Sequence, residues 1–380
     1  MKIVVLRETQ EGEARVALMP ESVRKLVALG ASVYIESGAG LSAAGTEEDY
    51  REAGAEISSE REALLSDADV LAVVNLPGPN DFARLKRGAI VIGFLRPLDE
   101  PAALLPAVDR GVTTFSVELI PRITRAQAMD ALSSMATVAG YKAVLIGAAY
   151  IPRMFPLLMT AAGTVPPARV LVLGAGVAGL QAIATARRLG AVVEGYDVRA
   201  AAGEQVKSLG ATFLEVDLGG IKTEDAGGYA VELSDEAMNR GRALIAEHAK
   251  TADVIITTAQ VPGRRAPLLI TKEAVEGMKR GSIVVDLAGA TGGNCALSQA
   301  DVTVERDGVT IVAPTNLPAT VPVHASQLYS RNITSFLTLL IKDGQLQLDM
   351  NDDVVGPSCV THNGEVVNQR VAAALQAEPG

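Results

Sequence analysis

The sequence is poor in cysteine, in histidine and in clustered positive charge. Its two cysteines, Cys295 and Cys359, cannot form a disulfide framework, and no Cys/His group has the spacing of a zinc site. The formal net charge is −10, and Lys and Arg do not run together in long blocks, which argues against nucleic-acid binding. We therefore expect no metal site and no nucleic-acid partner.

Long uninterrupted apolar runs are also missing. The first residues, MKIVVLRE, read as a strand and lack the apolar centre of a signal peptide. The run AVLIGAAYIPRMFPLLM is broken by Arg153 and two prolines, so it falls short of the roughly 18 uncharged apolar residues typical of a membrane span. We therefore expect a cytoplasmic protein with no direct membrane span, which would reach a membrane only through a partner.

Alternating apolar and helical segments fill most of the chain. In the first third, IVVL, SVYIE, VLAVV and AIVIGF alternate with helical patterns that end at glycine, which is typical of parallel βαβ units. A second cycle starts at Arg169 with RVLVLGAG and LQAIATARRLG. Later, Asp307-Gly308 and Asn363-Gly364 each lie between short alternating runs, which predicts two hairpins.

A chain of 380 residues is too long for one ordinary core, so we expect two domains. The predicted fold is α/β, with two Rossmann-like doubly wound parallel-sheet domains and a cleft between them. We assign residues 1–132 plus 323–380 to the first domain and residues 133–322 to the second, with the helix near 325–341 returning to the first.

A glycine fingerprint opens the second cycle. Gly174, Gly176 and Gly179 form G-x-G-x-x-G between an apolar strand and a helix. The first glycine allows a tight turn, the second lets the backbone approach a pyrophosphate, and the third lets helix and strand pack closely. The intervening Ala175 and Val177 would offer backbone amides at the helix N-terminus, where phosphates bind. The alternative is a plain glycine turn.

Asp197 ends the next predicted strand, where a carboxylate accepts hydrogen bonds from ribose hydroxyls in dinucleotide-binding folds. A carboxylate at this place repels a 2′-phosphate, which favours NAD(H) over NADP(H). Val198 and Arg199 follow and are expected to line the same site, and the charge of Arg199 weakens that preference. The alternative for Asp197 is a solvated aspartate.

The segment RITRAQAMDALSS concentrates polar groups ahead of a long apolar stretch. If the segment is helical, Gln127, Asp130 and Ser133 lie on one face near Arg122, and this set of donors and acceptors suits a carboxamide such as that of nicotinamide. The alternative is ordinary helix-start chemistry. Thr124 and Gln127 fit a capping box, and Asp130 fits a first-turn acid favoured by the helix dipole.

Several motifs together resemble the NAD(H)-binding subunit of proton-translocating transhydrogenases. These are PRITRAQAMDALSS, AGY, MTAAGTVPPARVLVLGAGVAGLQAIATARRLGA, YDVR, GGYA and DLAGATGGNC. The resemblance covers essentially the whole chain and implies the Si-Re (AB-specific) class of NAD(P)⁺ transhydrogenase. It implies that this chain binds NAD(H), that a partner subunit holds NADP(H), and that hydride transfer is coupled to proton movement through a membrane subunit. It also implies a homodimer at the cytoplasmic face of the bacterial inner membrane.

The resemblance implies a role for each residue of the polar segment. Gln127 would position the nicotinamide ring, Ser133 would hydrogen-bond its carboxamide, and Arg122 and Asp130 would fix the segment and the carboxamide. Ile123 and Thr124 would add backbone contacts. Direct hydride transfer moves no proton at the reacting carbons, so these residues are positioning groups rather than acids or bases.

Two further contacts follow from the resemblance. The GGYA stretch matches the family's mobile loop, in which Gly228 supplies flexible backbone and Tyr229 closes over the nucleotide; the alternative is an exposed loop with one aromatic. Gln260 follows a predicted strand at its carboxyl end, where such folds place ligand contacts. The matching family position is usually apolar, so the sequence leaves the role of Gln260 open.

Alanine dehydrogenases share this architecture and provide the competing hypothesis. They need a carboxylate-binding cation and a proton-transfer group beside the nicotinamide. The positions matching their lysine and histidine hold Asn75, which does not titrate, and Arg96, which stays charged. Arg15 is retained, either as the carboxylate-binding cation or as a structural anchor. A third hypothesis is a nucleotide-sensing module without catalysis.

Overall fold

The computed structural model describes residues 1–216, 234–261 and 263–377. The chain forms two compact units, which are Met1–Met135 with Pro318–Gly380 (unit 1) and Ala136–Leu317 (unit 2). Each unit is built on a mainly parallel sheet with helices in its connections. The predicted α/β class with two doubly wound parallel sheets is confirmed.

The first pass of the chain through unit 1 alternates strands and helices. In order these are β1 (Lys2–Val5), α1 (Pro20–Ala28), β2 (Ser32–Glu36), α2 (Glu47–Glu52), β3 (Glu56–Ser58), α3 (Arg61–Asp67), β4 (Val70–Asn75), α4 (Pro79–Arg84), β5 (Ile90–Phe94), α5 (Leu105–Arg110) and β6 (Thr113–Ser116). Strands β1, β4 and β5 are almost wholly buried, as expected for a parallel sheet covered on both faces.

Helix α6 (Ala131–Tyr150) comes next and is apolar over most of its length. Within the described residues it is the one helix that is long and apolar enough to cross a membrane by length and composition. The sequence prediction missed it because Lys142 interrupts the apolar run. Buried core helices have the same composition, and Ala143 and Val144 of α6 are fully buried in the core of unit 2.

The chain then builds unit 2. Its elements are β7 (Leu158–Thr160), β8 (Gly163–Val165), β9 (Arg169–Leu173), α7 (Val177–Arg188), β10 (Val192–Tyr196), α8 (Ala202–Ser208), β11 (Thr212–Leu214), α9 (Asp235–Ala249), β12 (Val254–Thr257), α10 (Lys272–Glu276), β13 (Ile283–Asp286), β14 (Thr303–Arg306) and β15 (Val309–Val312).

The chain returns to unit 1 through a long helix. The last elements are α11 (Pro322–Leu340), β16 (Ile341–Lys342), β17 (Gln345–Leu346), α12 (Val355–Ser358), β18 (Cys359–His362), β19 (Glu365–Val366) and α13 (Gln369–Gln376). Helix α11 packs on α1, because its apolar face includes the fully buried Tyr329, Ile333 and Phe336.

The two large sheets share one winding order among their central strands. The sheet of unit 1 runs β19-β18-β6-β5-β4-β1-β2-β3, and that of unit 2 runs β11-β10-β9-β12-β13-β15-β14. Six strands of each follow the doubly wound order 3-2-1-4-5-6, which reverses between the first and fourth strands, beside β9 in unit 2. Ligands of such sheets bind at the carboxyl ends of the strands beside this reversal.

Both predicted hairpins are confirmed. Strands β14 and β15 pair in antiparallel fashion, as do β18 and β19. All four turn residues have positive φ, from 52° at Asp307 to 84° at Gly364. Such turns match the twist of the flanking strands, which explains why Asp-Gly and Asn-Gly predict them so well.

Candidate functional site

The glycine fingerprint forms a tight turn after β9, and its three glycines meet different constraints. Gly174 has a φ of 99°, and a Cβ there would lie 2.5 Å from Thr258 Oγ1. A Cβ on Gly179 would lie 1.7 Å from the Gly174 carbonyl oxygen. A Cβ on Gly176 would meet no described atom within 4 Å. Contacts within the protein therefore require glycine at the first and third positions, whereas the second faces open space.

Helix α7 begins directly after Gly176 and presents an uncapped N-terminus. The N-cap position is Gly176 itself, so no side chain accepts from the first amides of the helix. Val177 in the first turn is 41% exposed, while Ala175 is buried. A Cβ on Gly140 of α6 would come within 2.1 Å of the Ala178 carbonyl oxygen, so α6 backs this turn closely. Exposed first-turn amides and the positive end of the helix dipole fit a phosphate group.

Asp197 lies directly after β10 and is only 9% exposed. Its Oδ2 accepts from the Ala175 amide at 2.7 Å and from Arg199 Nη2 at 2.9 Å. Its Oδ1 accepts from the amide and from Nε of Arg199, both at 2.9 Å. Val198 points into the neighbouring apolar core. The carboxylate is therefore held against the glycine turn and also carries the Arg199 guanidinium, so it is not the solvated aspartate of the alternative interpretation.

The segment 122–133 is not the single helix that the sequence analysis assumed. A 3-10 helix spans Thr124–Met129, and α6 starts only at Ala131. Asp130 separates them with ψ at 83°, and the buried Ala126 and Met129 anchor the 3-10 turn. The expectation that Gln127 shares one helical face with Asp130 and Ser133 is therefore wrong, because the helix axis breaks between them.

The predicted capping box of Thr124 and Gln127 does not form either. Ile123 occupies the N-cap position of the 3-10 helix, and no side chain caps it. Gln127 is exposed, and its carboxamide hydrogen-bonds none of the described residues. Arg122 is also exposed and has a polar partner. The turn thus presents a carboxamide that is not needed to hold the local structure.

Asp130 and Ser133 are brought together at the start of α6. Asp130 Oδ1 accepts from the Ser133 amide at 2.8 Å, and its Oδ2 accepts from Ser133 Oγ at 2.5 Å. The amide bond is the geometry of an N-cap residue, whose side chain satisfies one of the first helical amides. Asp130 therefore has a structural task besides any contact with a ligand.

Gln260 follows β12, and its exposed side chain donates from Nε2 to the Leu287 carbonyl oxygen at 2.7 Å. This bond ties together the loops that follow β12 and β13. The other two predicted loop contacts, Gly228 and Tyr229, lie outside the described residues.

Sequence reasoning missed a buried network behind these loops. Asp286 is fully buried at the end of β13 and accepts from five groups. These are Thr257 Oγ1 (2.8 Å), Ser298 Oγ (2.6 Å) and the amides of Ala288 (2.9 Å), Asn294 (2.7 Å) and Cys295 (3.0 Å). The signal was available, because an acidic residue at a buried strand end, followed by the glycine-rich GATGGNC, needs nearby donors.

Asn294 carries this network towards the glycine turn. Its side chain accepts from the Ala259 amide at 3.1 Å and donates to the Ala259 carbonyl oxygen at 2.9 Å. The preceding Thr258 donates from Oγ1 to the Gly174 carbonyl oxygen at 3.1 Å. The loop after β12 is thereby fixed against the fingerprint turn.

A second polar cluster lies at the carboxyl ends of β1 and β4 in unit 1. Arg15 is 6% exposed and makes a bidentate pair with Glu13, with Nε–Oε1 at 2.8 Å and Nη2–Oε2 at 2.6 Å. Asn75 Nδ2 donates to Glu13 Oε2 at 3.0 Å and to Glu8 Oε2 at 3.2 Å. Arg96 points away, with its half-exposed side chain paired to Glu100.

Burial acts differently on the two carboxylates of this cluster. It raises the pKa of Glu8 to about 7, because the hydrogen bonds from Val74 and Asn75 only partly offset it and the charge of Glu13 adds to the rise. Burial also works to raise the pKa of Glu13. There the hydrogen bonds and charge of Arg15 outweigh it, and the pKa falls to about 2. Glu13 is therefore the standing counterion of Arg15.

No group of three or more metal-ligating side chains occurs in the described part of the chain. His248 Nδ1 lies 3.1 Å from Glu194 Oε2, and His362 Nδ1 lies 3.0 Å from Thr113 Oγ1. Cys295 and Cys359 are buried, and burial raises their thiol pKa values to about 11 and about 12. Neither thiol is therefore suited to act as a nucleophile.

Comparison with known proteins matches both halves of the chain to one family. The alanine dehydrogenase/PNT N-terminal domain family matches residues 4–139, and the corresponding C-terminal domain family matches residues 143–369. An NAD(P) transhydrogenase alpha subunit of Rhodospirillum rubrum is 48% identical over 97% of this chain and 98% of its own length.

A solved structure and a second relative complete the comparison. The crystal structure of transhydrogenase from Sinorhizobium meliloti is 44% identical and covers 97% of this chain and 100% of its own, with a TM-score of 0.88. The alanine dehydrogenase of Mycobacterium tuberculosis is more distant, at 29% identity over 99% of this chain and 97% of its own length.

Proposed function

The chain belongs to the alanine dehydrogenase/PNT family, and we propose that it is the NAD(H)-binding subunit of a proton-translocating transhydrogenase. In this proposal NADH supplies a hydride to NADP⁺ held on a partner subunit. A membrane subunit couples the transfer to proton movement. The coarser statement, that the chain is related to NAD(P) transhydrogenase alpha subunits over nearly its whole length, is a finding.

The fingerprint of unit 2 supports NAD(H) as the bound nucleotide. The open space at Gly176 and the uncapped start of α7 suit a pyrophosphate. The buried Asp197 carboxylate, fixed by the Ala175 amide, suits a ribose and disfavours a 2′-phosphate. The residues present therefore fit the cofactor that the family implies.

The observation that carries the choice of activity is the buried ion pair between Arg15 and Glu13. An amino-acid dehydrogenase needs a cation that binds a substrate carboxylate. Arg15 already holds a carboxylate in two hydrogen bonds and is 6% exposed. Asn75 has no titrating proton, and Arg96 lies on the surface with Glu100. These features disfavour the alanine dehydrogenase activity and leave hydride exchange between nucleotides as the better supported function.

The exposed Gln127 carboxamide supports a positioning role for the turn at Thr124–Met129. We propose that Gln127 orients the nicotinamide ring and that Arg122, Asp130 and Ser133 hold the turn and the carboxamide, with backbone contacts from Ile123 and Thr124. The cap between Asp130 and Ser133 serves this role by fixing the start of α6. No acid or base is required, so the contribution is orientation and exclusion of water.

A reconstituted mixture tests the function. The purified chain is combined with the NADP(H)-binding subunit of a related transhydrogenase, and hydride transfer is followed with an NAD analogue whose reduced form has a distinct absorbance. We expect transfer only when both proteins are present. Robust NADH formation by the chain alone from NAD⁺ and L-alanine would instead establish the dehydrogenase. NADH binding without transfer in the mixture would establish a nucleotide-sensing module.

Several finer assignments belong to the same proposal. We propose a homodimer that sits at the cytoplasmic face of the bacterial inner membrane through its partner subunits. We also propose that the domain assigned to residues 133–322 carries the nucleotide and that Gly228, Tyr229 and Gln260 contribute to its site. The transhydrogenase would be of the Si-Re class.

A further inference from the structure

The carboxylate of Asp197 has no acceptor position left for a ligand. A carboxylate offers about four lone-pair sites. Two are taken by backbone amides, those of Ala175 and Arg199, and two by the Arg199 guanidinium through Nε and Nη2. A ribose with two hydroxyl groups can therefore hydrogen-bond to Asp197 only if some of these four donors leave.

The two kinds of donor differ in how readily they can leave. The amides of Ala175 and Arg199 belong to turns at the ends of β9 and β10, and moving them would unmake those turns. The guanidinium is carried by a rotatable side chain that is 21% exposed, against 7% for the side chain of Asp197. It therefore covers the carboxylate from the solvent side and is the group that can be displaced.

We propose that the Arg199 guanidinium occupies the ribose-binding acceptors of Asp197 in the nucleotide-free chain, and that it must swing aside when a nucleotide binds. This inference rests on the proposed NAD(H) site. It assigns to Arg199 a cost in NADH affinity that no contact with the nicotinamide end would reveal.

The same residue sets how strongly a 2′-phosphate is rejected. A bare aspartate repels the phosphate, but a guanidinium two residues along the chain remains within reach of the same place after it has moved. Its positive charge offsets the charge of Asp197 and attracts a phosphate. Arg199 therefore lowers NADH affinity and narrows the difference in affinity between NADH and NADPH.

The test is the dissociation constants of NADH and NADPH, measured at low ionic strength by nucleotide fluorescence and equilibrium dialysis. The full chain is compared with Arg199→Ala and Arg199→Lys. Arg188→Ala removes another exposed arginine of unit 2 and serves as the control for lost charge. The two amide bonds to Asp197 remain in every variant, and thermal unfolding checks that the fold is retained.

We expect Arg199→Ala to bind NADH about fivefold more tightly, which corresponds to about 1 kcal/mol, and to bind NADPH more weakly than wild type. Lysine cannot form the paired hydrogen bonds but keeps the charge. Arg199→Lys should therefore tighten NADH binding while retaining the NADPH affinity of wild type, and Arg188→Ala should change neither ratio.

Unchanged or weaker NADH binding by Arg199→Ala would overturn the inference, as would a preference for NADH over NADPH equal to that of wild type. Asp197→Ala separates this failure from failure of the proposed function. If wild type binds NADH and Asp197→Ala weakens that binding, the NAD(H) site stands whatever Arg199 does. If wild type does not bind NADH at all, the proposed function itself fails.

Discussion

Replacing Glu8 with glutamine should remove a pH dependence from the stability of unit 1. The carboxylate of Glu8 accepts from the Val74 amide at 2.6 Å and from Asn75 Nδ2 at 3.2 Å, and it shares that Asn75 nitrogen with Glu13. Burial, reinforced by the charge of Glu13, raises the pKa of Glu8 to about 7 from an ordinary value of 4.5. The protonated form is therefore the favoured one in the folded chain.

The sign of the effect follows from proton binding. Between pH 4.5 and about 7 the folded chain holds a proton on Glu8 that the unfolded chain has released. The free energy of unfolding therefore falls as pH rises through this window. A shift from 4.5 to about 7 corresponds to at most about 3 kcal/mol, since each pKa unit is worth about 1.4 kcal/mol.

Urea unfolding at a series of pH values from about 4.5 to 8 measures this difference, using the pKa window as its range. Hydrogen exchange at the amides of β4 (Val70–Asn75) assigns it to unit 1. Glutamine also changes the hydrogen bonds beside Asn75, but that penalty is the same at every pH, so only the slope matters. We expect Glu8→Gln to gain stability relative to wild type as pH rises.

The exposed Glu52 provides the matched control, because Glu52→Gln should stay parallel to wild type. A stability difference between Glu8→Gln and wild type that is flat across the whole pH range would refute the reasoning. It would mean that the carboxylate of Glu8 is solvated enough to titrate as it does in the unfolded chain.

Three other substitutions test the nucleotide site. Gly176→Ala should keep wild-type stability but weaken NADH binding about tenfold or more, because its Cβ enters open space where a pyrophosphate would approach; Gly179→Ala should lower the melting temperature as well, since its Cβ clashes with the Gly174 carbonyl. Similar stability losses in both would contradict this difference. Gln127→Asn should slow hydride transfer in the reconstituted mixture about tenfold or more while leaving the dissociation constant of NADH within about twofold, and equal losses would point to a role in binding alone. Asp286→Asn should cost about 3 kcal/mol or more in urea unfolding, because one amide oxygen cannot serve five donors, and a loss under about 1 kcal/mol would exclude a structural role.

The fold was predictable because its signals are local and repeated. Each parallel strand appears as a short apolar run, each helix ends at a glycine, and Asn363-Gly364 fixes a hairpin from two residues alone. The glycine fingerprint was predictable for the same reason, since strand, turn and helix follow one another directly along the chain.

The turn before α6 was not predictable in the same way. Its residues fit a continuous helix by spacing, but the chain breaks at Asp130, whose side chain caps the next helix. Two competing local structures had similar propensities, and the burial of Ala126 and Met129 decided between them. Burial of that kind depends on contacts with α11, about 200 positions away, including the bond from Asn332 Nδ2 to the Ala128 carbonyl at 2.9 Å.

The cluster around Asn75 was hidden for a related reason. Glu8 and Asn75 are 67 positions apart and meet only because β1 and β4 are neighbours in the sheet. The sequence showed that Asn75 and Arg96 lack the chemistry of an amino-acid dehydrogenase. It did not show that Glu13 occupies Arg15, which is the stronger argument against that activity.

Asp197 and Asp286 show how one sequence pattern leads to two functions. Each is an aspartate at the end of a parallel strand in the same sheet. The five donors of Asp286 come from residues that are themselves buried or fixed in the following loop, so none can leave without opening the core. Two of the four bonds to Asp197 come from one solvent-facing side chain, Arg199. The difference between a structural and a ligand-binding carboxylate is therefore the mobility of its donors, and measuring NADH affinity with and without Arg199 measures that mobility directly.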